Sequence, residues 1–184
     1  MNIHDIKIPG MHNVENYLAA ISAAWGLVDA ETMVAVAKTF GGVAHRAEFV
    51  REVDGVKYYN DSIASSPTRT ALGTLSLYNQ KICIIAGGYD KHTKLDKFMK
   101  TVKARVKCLI LLGNAAARFK DEAEKAGIKT IVLADDMRGA VEKGKSIACS
   151  GDVVLLSPAC SSFDMYANYE ARGFDFKKIV NRLK

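Results

Sequence analysis

Three apolar runs in this 184-residue chain end abruptly in polar residues whose types suit an anionic ligand. Val153 to Leu156 breaks into Ser157, Pro158, Ala159, Cys160, Ser161 and Ser162. A run from Val56 to Tyr59 ends in Asn60, Asp61 and Ser62, with Ser65, Ser66 and Pro67 opening the next stretch. A third, at residues 82–86, ends in Gly87, Gly88, Tyr89, Asp90 and Lys91. Hydroxyls, an ammonium and a helix amino terminus on one edge are groups that hold carboxylates or phosphates. Taken singly, Asp61 and Ser66 read as caps, the two glycines as a turn and Lys91 as a solvated charge. The convergence of three such loops is what points to a site. His45 and Arg46 add a guanidinium suited to bidentate phosphate contact. By pattern alone the plainer reading, a surface arginine beside a hinge histidine, stands ahead.

Other chemistries find less support. His4, His12, His45 and His92 show no metal-ligand spacing, so no metal site is expected. Cys160 has no identifiable histidine partner, and a G-x-S-x-G elbow is absent, which argues against a nucleophilic hydrolase. Residues 139–146 match the phosphate-loop pattern G-x-x-x-x-G-K-[ST] in full. That chemistry needs the glycines directly after a strand. Here Asp135, Asp136, Met137 and Arg138 intervene, two aspartates would repel phosphate, and Met137, Val141, Ile147 and Ala148 draw a helical stripe through the motif. The match reads as a surface helix.

The bulk properties are those of a globular chain: 49% hydrophobic, 25% charged, three prolines. The net charge of +6 comes from scattered lysines, not a basic run with interleaved aromatics, so nucleic-acid binding is only a weak alternative. No apolar run has the length of a membrane span, and the amino terminus lacks a secretory core. Four cysteines without a C-x-x-C pair suggest a reduced, cytoplasmic setting.

The elements that must position these groups change character near Gly41 and Gly42. Before them, residues 13–40 read as two helices, the second capped by Asp29. After them, Asp54-Gly55 marks a type I′ hairpin. Strands at 82–86, 108–112, 130–133 and 153–156 then alternate with helices at 67–77, 95–102, 115–126, 137–148 and 175–183. The alternation predicts an α/β fold, a doubly wound and mostly parallel sheet, preceded by a short helical segment. Residues 1–42 are expected to end another domain, because a helical pair cannot bury its own faces, and residues 43–184 to form a second domain.

The chain resembles the Mur ligase family, within it the ligases that add D-glutamate. His12, Asn13, Val14, Glu15 and Asn16 resemble H-N-x-x-N, residues 42–46 resemble G-L-P-H-R, and residues 60–66 resemble N-D-S-K-A-T-N. Residues 87–91 resemble G-G-x-D-K. Ser157 to Gly173 resembles S-P-A-C-A-S-F-D-x-F-x-N-F-E-x-R-G, the motif specific to D-glutamate addition. The resemblance implies a Rossmann-like carboxyl-terminal ligase domain. It implies that Asn13 and Asn16 face adenine, that Asp61 faces the ribose, and that Arg46, with His45 beside it, reaches the ATP phosphates. Lys91, Ser65, Ser162 and Tyr169 would hold D-glutamate. The implied reaction is amide ligation: ATP phosphorylates the carboxylate of UDP-N-acetylmuramoyl-L-alanine, and the amine of D-glutamate attacks the acyl phosphate, with Mg2+ offsetting charge. This chain has Ala44, Ile63, Ser65, Ser66 and Tyr169 where the family has Pro, Lys, Thr, Asn and Phe, so no cationic role passes to Ile63. The family's UDP-binding domain and most of its ATPase domain, with the magnesium ligands, have no counterpart here. The 184 residues alone are therefore expected to be inactive. The alternatives are a sibling Mur or folylpolyglutamate ligase domain and a stand-alone small-molecule binding module.

Overall fold

A computed structural model describes residues 2–8 and 10–184, which divide into two compact units, Met1–Val43 and Ala44–Lys184. In the first, α1 (Met11–Ala24) and α2 (Ala30–Thr39) are the main elements. Asp29 caps α2 as its position predicts, accepting the Thr32 backbone N–H at 2.8 Å. Of the apolar residues in this unit, Ala37 of α2 is buried, while Met11, Leu18, Trp25, Leu27, Val36 and Phe40 are exposed.

The second unit begins with the hairpin. Asp54 and Gly55 both take positive φ, 53° and 75°, the backbone a type I′ turn requires. They join β1 (Glu48–Val53) to β2 (Val56–Asn60) in antiparallel register. The chain then alternates through β3 (Ile82–Gly87), α3 (Asp96–Arg105), β4 (Val106–Leu112), α4 (Ala116–Lys125), β5 (Ile131–Leu133), α5 (Met137–Ile147), β6 (Val153–Leu156) and α6 (Tyr169–Val180). The six strands lie in the order β1-β2-β6-β3-β4-β5, and every pairing after the hairpin is parallel. Among the described residues no helix is long and apolar enough to cross a membrane.

Period-two alternation splits the strand side chains between two cores. Ile82, Ile84, Leu109, Leu111, Val153 and Leu155 pack with Phe98, Met99 and Val102 of α3 and Phe119 of α4. Cys83, Ile85, Cys108, Ile110, Val154 and Leu156 face the other way, onto Met137 and Val141 of α5 and Phe176 and Val180 of α6. The sheet is thus covered on both faces, as the alternation of elements predicts. Burying each such side chain is worth about 1.5–3 kcal/mol.

Two local expectations need correction. The helix expected at 67–77 is a wide turn over Arg69–Thr74, closed by the Leu75 N–H bonding five residues back to Thr70, followed by a tight turn at Leu75–Leu77. The last helix starts six residues earlier than expected, because Asn168 accepts the Ala171 N–H at 2.7 Å and caps it. The phosphate-loop match lies inside α5 as a helix, capped by Asp136 on the Gly139 N–H. Its Gly144 lets α5 approach the sheet, since a Cβ there would stand 3.0 Å from Val154. Its Lys145 pairs with Asp54, at the hairpin turn, the end of the sheet opposite the polar strand ends.

Candidate functional site

The three polar loops belong to neighbouring strands. β2, β6 and β3 are adjacent and parallel, so the segments after Asn60, Leu156 and Gly87 leave the same edge of the sheet. The helices that follow β3 and β6 go to opposite faces, α3 to one core and α6 to the other. That divergence makes the β6–β3 boundary a topological switch point, the crevice where open α/β sheets bind ligands. Backbone bonds knit it: Gly87 N–H to Pro158 O at 2.8 Å and Tyr89 N–H to Ser161 O at 3.0 Å. Gly88 is needed for that closeness, because a Cβ on it would overlap the Ser161 carbonyl oxygen.

Arg46 lies on the loop before β1, tied to the residues that follow β2, on an unusual backbone. Its neighbours His45 and Ala47 both adopt left-handed φ, 63° and 46°. Such strain persists only where surroundings fix it. Glu48 accepts the His45 N–H at 2.9 Å and the Asn60 amide at 3.1 Å, and pairs with Lys177 of α6. Asp61 accepts the Ala47 N–H at 3.1 Å. The Arg46 side chain is exposed, with no hydrogen bond or ion pair among the described residues. His45 is different. It is 4% exposed, its Nδ1 lies 3.0 Å from the Asn60 amide nitrogen, and its ring packs edge-on against Phe174. Gly173 is the residue that allows α6 this near, as a Cβ there would overlap His45 Nδ1. His45 is thus buried and anchors the Arg46 loop.

Asp61 is also enclosed. It is 2% exposed; Oδ2 accepts from Thr74 and, at 2.8 Å, from Ser157, while Oδ1 takes the Ala47 N–H. Burial pushes its carboxyl above the usual range, against the lowering pull of those hydrogen bonds. A carboxylate so enclosed braces the loops.

The residues expected at the amino-acid substrate are distributed over all the converging loops. Lys91 is exposed, and its ammonium has no partner among the described residues. Its neighbour Asp90 is occupied instead by Arg118, in a bidentate pair at 2.6 Å for each bond. Ser162 is buried at 2% exposure, its hydroxyl without a hydrogen bond among the described residues. Ser65 is half-buried on the loop after β2, and Tyr169, in the first turn of α6, lies edge-on to His45 with ring centroids 6.0 Å apart. Asn13 and Asn16 belong to the other unit, where the Asn16 amide donates to Asn13 at 3.3 Å across one turn of α1. The side chain of His12, in the same motif, lies outside the described residues.

Sequence reasoning missed Arg172. It is 3% exposed in α6, and its guanidinium donates to Ser62 Oγ (3.0 Å), Ser62 O (2.9 Å), Cys160 O (3.1 Å) and Ser161 O (3.2 Å). No carboxylate forms an ion pair with it among the described residues. Burial lowers its pKa to about 10, which leaves it charged at neutral pH. Its presence in the last motif was a signal, but nothing in the residue pattern distinguishes a buried arginine from a surface one.

Comparison with known proteins places these features in a family. Residues 45–160 match the family described as Mur ligase, glutamate ligase domain. A UDP-N-acetylmuramoylalanine–D-glutamate ligase of Clostridium acetobutylicum is 50% identical over 188 residues, covering 100% of this chain and 40% of that protein. The protein of the same name from Clostridium beijerinckii is 52% identical over 185 residues, with 97% and 40% covered. The chain thus spans about 40% of the length of the curated relatives it matches. Among solved structures, a UDP-N-acetylmuramate-alanine ligase of Thermotoga maritima aligns with a TM-score of 0.71 at 20% identity, over 96% of this chain and 39% of that one. A folylpolyglutamate synthase of Mycobacterium tuberculosis aligns with a TM-score of 0.62 at 15% identity, over 86% and 38%. Both share the fold.

Proposed function

Since this chain belongs to the Mur ligase family through its glutamate ligase domain, we propose that it is the part of an ATP-driven amide ligase that holds D-glutamate for attack on an activated carboxylate. The acceptor in this reading is UDP-N-acetylmuramoyl-L-alanine, and the setting is cytoplasmic peptidoglycan synthesis. The unit Met1–Val43, with Asn13 and Asn16 toward adenine, is the end of the ATPase domain. The carrying observation is that the Lys91 ammonium and the Ser162 hydroxyl, both without a hydrogen-bond partner among the described residues, stand on adjacent loops at the switch point.

The chemistry follows from the groups available. A carboxylate of D-glutamate meets the Lys91 ammonium and the Ser162 and Ser65 hydroxyls. These charge-assisted bonds fix the amino acid, and Tyr169 closes its side. Its amine is thereby held in one orientation, which supplies most of the advantage of a bound over a free nucleophile. Arg46, braced by Glu48 and Asp61 through its neighbours, is free to meet a phosphoryl group and offset charge that grows as the acyl phosphate forms and collapses. Among the described residues no group of three His, Cys, Asp or Glu side chains could hold a metal ion, so the magnesium the family resemblance implies is given no ligands here and no step runs through it.

The test joins this chain to the upstream part of the Clostridium acetobutylicum relative. The hybrid should release ADP only when D-glutamate and UDP-N-acetylmuramoyl-L-alanine are both present, while the 184 residues alone release none. A folded hybrid that ligates another amino acid and refuses D-glutamate would overturn the reading.

A further inference from the structure

The buried guanidinium of Arg172 bonds directly to two loops of the proposed amino-acid site, those after β2 and β6, without itself being open to a ligand. Two of its bonds go to Ser62, three residues before Ser65. Two go to the carbonyls of Cys160 and Ser161, which lead directly into Ser162. The same Ser161 carbonyl accepts the Tyr89 N–H, two residues before Lys91. The Ser62 hydroxyl, while accepting from Arg172, donates to the Tyr169 carbonyl at 2.8 Å. One planar fork thus gathers the segments carrying Ser65, Ser162, Lys91 and Tyr169. The fit is close, since a Cβ on Gly88 would stand 3.2 Å from Arg172 Nη1.

Its charge is equally informative. A buried cation is normally paired with a carboxylate. Arg172 is satisfied as a donor by carbonyl and hydroxyl oxygens, which carry no net charge. The Asp164 carboxylate is near enough to be felt, but makes no ion pair with it. The switch point is therefore built over a fixed positive charge that no ion pair neutralises among the described residues.

We propose that Arg172 is the positioning residue of the amino-acid site, holding its three loops and the start of α6 in register from beneath and biasing the crevice toward a substrate rich in carboxylate. This rests on the reading of the switch point as the D-glutamate site. Lysine at this position keeps the charge but cannot span four acceptors in a plane, so it separates the fork from the charge.

The experiment titrates D-glutamate into the isotope-labelled full chain by nuclear magnetic resonance, comparing the unaltered chain, Lys91→Ala, Arg172→Lys and Ser62→Ala. Amide hydrogen exchange is followed in parallel. Arg172→Lys should raise Kd about tenfold, the loss of one to two charge-assisted bonds' worth of positioning. Ser62→Ala, which leaves Arg172 in place and guards against a variant that fails to fold, should raise it roughly threefold. Exchange should quicken in the loops around Ser65, Ser162 and Lys91 and stay unchanged in β3 and β4. If the unaltered chain binds no D-glutamate, the site reading falls and this proposal with it. If Lys91→Ala weakens binding while Arg172→Lys and Ser62→Ala do not, the site stands and the role of Arg172 is overturned. Faster exchange throughout β3 and β4 would also overturn it, as Arg172 would then be a general stabiliser.

Discussion

At the scale of single residues, availability matters more than type. Asp90 and Lys91 are neighbours in sequence, yet Asp90 is committed to Arg118, whose hydrogen bonds hold its carboxyl below the usual range, while Lys91 is left for a ligand. A charge-assisted bond to a carboxylate is worth about 1.5–3 kcal/mol. Lys91→Ala should therefore raise the Kd for D-glutamate roughly ten- to a hundredfold, and Ser162→Ala, which removes one neutral donor, should do less. Calorimetric titration of the two variants checks this, and a larger effect from Ser162→Ala would reverse their assigned importance. The cluster after each strand was legible because hydroxyls and a lysine following a β-run are visible in one dimension. The buried setting of Asp61, His45 and Arg172 was not. Each is a polar residue buried by partners far along the chain, and spacing carries no record of Ser157 reaching Asp61 or of Arg172 reaching Ser62.

At the scale of elements, the hairpin, the parallel strands and the helix over residues 139–146 follow from turn chemistry and periodicity. The segments that departed are those governed by a cap or a wide turn. Asn168 starts α6 early enough to place Tyr169 and Arg172 on a helix. Replacing it with alanine should cost about 0.5–2 kcal/mol, seen as a lower thermal midpoint. An unchanged midpoint would mean that α6 is held by its packing alone. A second link ties α6 to the Arg46 loop through Glu48 and Lys177. Burial pushes the Glu48 carboxyl up, but hydrogen bonds from the His45 N–H, Lys177 and Asn60 outweigh it and leave it below the usual value. A depressed folded pKa stabilises the fold above the ordinary glutamate value, about 4.3, and that contribution is lost as pH falls through the folded value. Asp61, with its raised value, works in the opposite direction: its contribution is present at low pH and is lost as pH rises. The urea midpoint of Glu48→Gln should therefore fall less than that of the unaltered chain between pH 6 and pH 3. Equal losses would contradict this account of the link.

At the scale of the whole molecule, the chain is divided into two compact units. Ala44–Lys184 carries a complete doubly wound sheet with both faces covered, and the proposed amino-acid site lies wholly within it. Met1–Val43 leaves Trp25 76% and Leu27 84% exposed. The central claim is that the edge where β2, β6 and β3 end takes D-glutamate. Its most direct test maps amide shifts of the labelled chain during separate titrations with D- and L-glutamate. The account predicts shifts confined to the neighbourhoods of Ser65, Lys91, Ser162 and Tyr169, saturating with the D-enantiomer at concentrations where the L-enantiomer leaves them unmoved. Shifts centred elsewhere, for instance at the cleft lined by Asp136, Arg138, Lys178 and Arg182, or equal responses to both enantiomers, would contradict it.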